Sequence, residues 1–63
     1  MNFNVTATLR NGAMVFSGNM GFVPRIGEEI EAVGQIFVVE NVRYIFNQGR
    51  AFGQPVRLVL RYK

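Results

Sequence analysis

The stretch Phe3-Asn4-Val5-Thr6-Ala7-Thr8-Leu9-Arg10-Asn11-Gly12-Ala13-Met14-Val15-Phe16-Ser17-Gly18-Asn19-Met20 decides the fold class. Phe3, Val5, Ala7 and Leu9 alternate with Asn4, Thr6, Thr8 and Arg10, which is the period-two pattern of a half-buried strand. Asn11-Gly12 is the preferred dipeptide of a type I′ hairpin turn, whose two central residues both need positive φ. With these two as the loop, Arg10 pairs with Ala13, Leu9 with Met14, Ala7 with Phe16, Val5 with Gly18 and Phe3 with Met20. That register gathers the large apolar residues on one face, with Val15 outward, and a one-residue slip would scatter them.

Beyond the hairpin, Gly21-Phe22-Val23-Pro24-Arg25-Ile26-Gly27 breaks the alternation with two glycines and a proline, so it redirects the chain. Phe22, Val23 and Ile26 are expected to plug one end of the core. Glu29 to Val33 reads as a third strand with Ile30 inward, followed by a turn around Gly34-Gln35. Ile36 to Phe46 is the longest β-prone run. Neither of its faces is purely apolar, and a bulge near Glu40-Asn41 reconciles the two halves. Such a bulge buries Phe37 or Val39 early and Val42, Tyr44 and Phe46 later. Asn47 to Pro55 is a polar loop carrying Arg50 and Phe52. Val56 to Lys63 alternates again, with Val56, Leu58, Leu60 and Tyr62 inward and Arg57, Val59, Arg61 and Lys63 outward. The expectation is a single all-β domain over residues 1–63, a small five-stranded, strongly curved antiparallel barrel that begins with a long β-hairpin.

Composition narrows the chemistry. The chain has 63 residues, 49% of them hydrophobic, so it is expected to fold around one small core. It has no cysteine and no histidine, which removes disulfides, His/Cys metal sites and histidine-based nucleophile pairs. No metal, cofactor or catalytic group is expected, and the reading is non-enzymatic. No signal peptide is evident at Met1-Asn2-Phe3-Asn4, and no apolar run approaches a membrane span, so the expected setting is cytoplasmic with no membrane partner. The net charge is +3, with seven lysines and arginines against four glutamates. All four acids, Glu28, Glu29, Glu31 and Glu40, fall in the middle of the chain, and Arg43, Arg50, Arg57, Arg61 and Lys63 follow them.

The segment Phe22-Val23-Pro24-Arg25-Ile26-Gly27-Glu28-Glu29-Ile30, followed by Val33-Gly34 and Val38-Val39, resembles the apolar-Pro-x-x-Gly-acid-x-apolar opening of Src-homology-3-like small barrels. The resemblance covers residues 22–46. It implies that the proline and first glycine shape a turn, that the acid leads into a strand and that the second glycine makes a hairpin; it implies no activity. In overall style the chain is also similar to small orphan proteins of phages and other mobile elements.

Alternation sends Arg57, Arg61 and Lys63 to one face, and antiparallel pairing of 36–46 with 56–63 brings Arg43 beside them. A basic stripe of this kind suits phosphate contacts, and Tyr44, Phe52 or Phe37 beside it would stack unpaired bases. Four such cations on phosphates predict a salt slope of roughly −3 on a single strand. The competing reading of the same arginines is a solvated sheet face over which long side chains lie flat. Two partner classes follow. One is single-stranded DNA or RNA, held by Arg43, Arg50, Arg57, Arg61 and Lys63 with Tyr44 or Phe52 stacking. The other is a protein, either another copy in a homo-oligomer or a host factor that the chain inhibits or modulates, with Phe52 as anchor. Glu28, Glu29 and Glu31 read as a solvated acidic edge that either deters strand addition or docks against the basic face of another copy.

Overall fold

The computed structural model describes residues 3–46 and 54–63. Five strands form, β1 (Phe3–Leu9), β2 (Met14–Met20), β3 (Glu29–Ala32), β4 (Gln35–Tyr44) and β5 (Gln54–Tyr62), with no helix among the described residues. They make one strongly curved half-barrel sheet in the order β2-β1-β5-β4-β3. The all-β, five-stranded, curved architecture is therefore the one the alternation implies. Within it the β1–β5 pair is parallel, while the β1–β2, β3–β4 and β4–β5 pairs are antiparallel.

The concave face carries the core. Val5 pairs with Val56, Ala7 with Leu58 and Leu9 with Leu60 across β1–β5, and Val39 faces Leu60 while Val42 faces Leu58 across β4–β5. Val5, Ala7, Phe37, Val39, Val56, Leu58 and Leu60 form the buried cluster, with Phe3, Leu9, Val15, Phe16, Met20, Val23, Ile30, Ala32 and Val42 packed around it. Directly opposed residues share a face, so every row that starts at a buried β5 residue stays apolar across the sheet.

The first hairpin keeps the expected pairs Phe3↔Met20, Val5↔Gly18 and Ala7↔Phe16, but its tip differs. Leu9 N donates to Ala13 O and Gly12 N donates to Leu9 O, both at 2.9 Å, so Arg10, Asn11 and Gly12 form a three-residue loop. Gly12 takes φ +92° and Asn11 stays at negative φ, which is a type I turn closed by a left-handed glycine, in place of the expected type I′. Asn11 Oδ1 accepts from Ala13 N at 2.9 Å, an Asx contact that favours this choice. The register then shifts by one residue, with Thr8 opposite Met14, and the extra residue in β2 turns Val15 onto the core and Met14 outward to 63% exposure. This overturns the expectation that Val15 lies outward and that Met14 pairs with Leu9.

Pro24 is buried and Val23 packs on the core, whereas Phe22 and Ile26 are exposed, so the expected plug is made by Val23 and Pro24 alone. Glu28 N donates to Arg25 O, and Gly27 at φ +93° supplies the third position of a type II turn. That turn docks on β4: Gly27 N donates to Val39 O and Val39 N to Glu28 O, both at 2.9 Å. Strand β3 stops at Ala32, one residue before the expected end, because Val33 and Gly34 make the two-residue loop that joins Ala32 to Gln35. Both have positive φ, +47° and +76°, so the type I′ geometry expected at Asn11-Gly12 is found here.

The bulge expected near Glu40-Asn41 is present, since the β4–β5 register shifts between Val39 and Asn41. It lets Phe37 and Val39 face inward before it and Val42 after it. Tyr44 also faces inward, opposite Val56, but is 46% exposed, and Phe46 is 82% exposed, so the expected burial of these two is not found. Tyr44 is the last residue of β4 and Phe46 lies beyond the strand, both past the sheet's apolar centre.

Candidate nucleic-acid interface

On the convex face of the same strands the outward residues line up in rows. Arg43 stands directly opposite Arg57 across β4–β5, Arg57 opposite Thr6 across β5–β1, and Thr6 opposite Ser17 across β1–β2. The row Ser17, Thr6, Arg57, Arg43 thus crosses four strands, with the two hydroxyl oxygens 3.4 Å apart. The next row, Met14, Thr8, Val59 and Asn41, carries no charge. Beyond it Arg61 lies opposite Val38, which in turn faces Glu29.

Arg43 and Arg57 are both exposed, and neither makes an ion pair among the described residues. Like charges directly opposed on a sheet are unfavourable, so this pair is retained at a small cost in stability. Guanidinium groups in such a pair present two planar forks to one anion, the geometry that suits phosphate oxygens. The flanking hydroxyls of Thr6 and Ser17 add further donors.

The other cations are differently placed. Lys63 Nζ lies 2.7 Å from Glu29 Oε2, bridging β5 to β3 over β4, and Lys63 N donates to Ile36 O. Arg10, in the β1–β2 loop, meets Glu40 Oε2 at 2.8 Å across β5. Arg61 is exposed and makes no ion pair among the described residues; with Arg10 and Glu40 it lines a shallow groove. Glu29 and Glu40 therefore engage cations at the β3 side and at the loop tip, and the Arg43–Arg57 pair has no ion-pair partner among the described residues.

Of the site residues expected from sequence, Arg43, Arg57 and Arg61 come together on one face, and Lys63 joins that face in an ion pair. Tyr44 does not: its ring lies on the concave side, where it meets Phe3 edge-on at 6.4 Å. Phe37 is buried, 5.2 Å from the ring of Tyr62, so it offers no stacking surface. All the aromatic residues of the described strands face inward by register, and the convex face carries the arginines and hydroxyls together with the aliphatic Met14, Val38 and Val59. Arg50 and Phe52 fall in 47–53, outside the described residues. Thr6 and Ser17 were not expected at the site, although the outward parity of the β1 hydroxyls was their signal.

Among the described residues no cluster of three metal-ligating side chains occurs, and no helix is long and apolar enough to cross a membrane. Comparison with protein-family models, with curated proteins and with solved structures returns no match.

Proposed function

We propose that the chain is a non-enzymatic binding module that takes the phosphate backbone of a nucleic acid on its convex face. The observation that carries this reading is the opposed pair Arg43–Arg57, exposed, without a carboxylate partner among the described residues, and continued by Thr6 and Ser17. Arg57 and Arg61 share one side of β5 and are separated by four residues, about 13 Å of strand, so the cations form a track along the sheet. Lys63 is engaged by Glu29, which leaves three arginines for phosphates in place of the four cations counted from sequence. Backbone contacts of this type position a ligand and carry little sequence information. With no aromatic residue of the described strands on this face, phosphate contacts there bind chiefly by counterion release.

Fluorescence-anisotropy titration against labelled single-stranded DNA, duplex DNA and RNA tests the proposal. Micromolar binding that weakens steeply with salt is expected, with a log–log slope of about −2 on single strands for three contacts. Absence of binding to all three at low salt rejects the convex-face site.

A second reading is favoured by a separate observation. Phe22 and Ile26 are exposed in the β2–β3 connection, and Met20, Phe22, Pro24 and Ile30 line a groove rimmed by Glu28 and Glu29. Exposed apolar surface with a charged rim suits a protein partner. Phe22→Ala and Ile26→Ser should then abolish capture of that partner and leave nucleic-acid binding unchanged.

A further inference from the structure

The two edges of the sheet are unlike. The β3 edge is four residues long and carries Glu29 and Glu31, both exposed. Short length and charge are the usual devices that prevent strand addition. The β2 edge is seven residues long and contains neither a charged residue nor a proline. Its neighbour β1 is uncharged as well, so the β2 side of the sheet is neutral over two strands while Arg43, Arg57, Arg61 and Lys63 all lie on the β5–β4 side.

We propose that β2 is a self-association edge, pairing antiparallel with β2 of a second copy about a twofold axis at Ser17, the middle residue of the strand, to give a continuous ten-stranded sheet. Charge selects this pairing over the alternatives. Joining β2 to β2 places four neutral strands between the two cationic halves. Joining β3 to β3 would set Glu29 and Glu31 of one copy against those of the other. Joining β2 to β3 is head-to-tail and generates an open filament instead of a closed dimer. The Val15 bulge lies at one end of β2, so the pairs nearest the axis, Ser17 with Ser17 and Phe16 with Gly18, are clear of it.

An antiparallel pair of identical strands has its twofold perpendicular to the sheet, so both convex faces point the same way. The row Arg43, Arg57, Thr6, Ser17 then continues into Ser17, Thr6, Arg57 and Arg43 of the second copy. The two Arg57 residues are five strand spacings apart, about 24 Å. If the convex face takes phosphates as proposed above, the dimer offers two such sites on one surface; the dimer itself does not depend on that reading.

Sedimentation velocity of the full chain across the micromolar range tests the inference, and its result is separable from the anisotropy titration because a monomer can still bind nucleic acid. The expected result is a species of twice the chain mass that Ser17→Lys converts to a monomer with an unchanged β-sheet circular dichroism spectrum. Because the chain has no cysteine, Ser17→Cys gives a second readout that does not rely on a disruptive variant. Under mild oxidation Ser17→Cys should form a disulfide-linked dimer, and Glu31→Cys on the other edge should not. A wild-type chain that stays monomeric at about 200 µM, where even a weak complex with a Kd near 100 µM populates dimer, overturns the proposal. So does a dimer that Ser17→Lys leaves intact, or one that cross-links through Glu31→Cys in preference to Ser17→Cys.

Discussion

Val33 offers a prediction with a sign opposite to most substitutions. It sits at φ +47° in the two-residue Val33-Gly34 loop and is 77% exposed. A left-handed conformation costs an L-residue about 1–2 kcal/mol, and a β-branched side chain lies at the unfavourable end of that range. Exposure means that little packing is lost when the side chain is replaced. Val33→Asn keeps a residue that tolerates this conformation, so it should stabilise the chain by about 1 kcal/mol. For a domain this small that corresponds to a rise in Tm of about 4–8 °C. Val33→Gly relieves the same strain, but its freer unfolded chain takes back about 0.5–1 kcal/mol, so its gain is smaller. Thermal unfolding followed by circular dichroism should rank the variants Asn, Gly, Val in falling Tm. A Val33→Asn protein with an unchanged or lower Tm would refute the reasoning, since the turn would then not require positive φ at this position.

Leu58 is fully buried between Ala7 and Val42, and Leu58→Ala should cost about 2–5 kcal/mol in a chain whose whole stability is on the order of 3–9 kcal/mol, leaving it largely unfolded in a urea titration. Arg57→Thr removes one member of a like-charge pair, so it should raise stability by a few tenths of a kcal/mol while weakening nucleic-acid binding; chemical denaturation and anisotropy on the same samples check both signs. Gly12 at φ +92° has open space around it, so Gly12→Ala should lower stability by about 1–2 kcal/mol through backbone strain alone, measurable as a lower urea midpoint at unchanged slope.

Much of the sheet was legible because alternation is a local property. The pairing of Val5 with Gly18 and Ala7 with Phe16, and the need for a break at Glu40, followed from which residues would otherwise face water. The bulge at Val15 was not legible, since Met14 and Val15 are both apolar and either can face inward. The type I′ turn expected at Asn11-Gly12 formed instead at Val33-Gly34, one residue before the turn expected around Gly34-Gln35, for a related reason. The Asn11 side chain stabilises a three-residue loop, while the tight β3–β4 register forces a two-residue loop whatever its composition. Alternation is also the same for parallel and antiparallel neighbours, so nothing local marked β1 and β5 as a parallel pair. At the candidate site, the approach of Arg43 to Arg57 was readable from parity. The capture of Lys63 by Glu29 was not, because it depends on β3 lying beside β4 at that end. Tyr44 lands on the concave face because the Glu40 bulge inverts the parity of everything after it, while Arg43, its neighbour in the strand, faces the opposite side by alternation alone.

The most direct test compares the salt dependence of single-stranded DNA binding by the wild-type chain and by the Arg43→Thr/Arg57→Thr double variant, from about 50 mM to about 200 mM salt. The convex-face site predicts a wild-type slope of about −2 and a double-variant slope of about −0.7, with weaker binding at every salt concentration, because two of three phosphate contacts are gone. Equal affinities and equal slopes for the two proteins would contradict it.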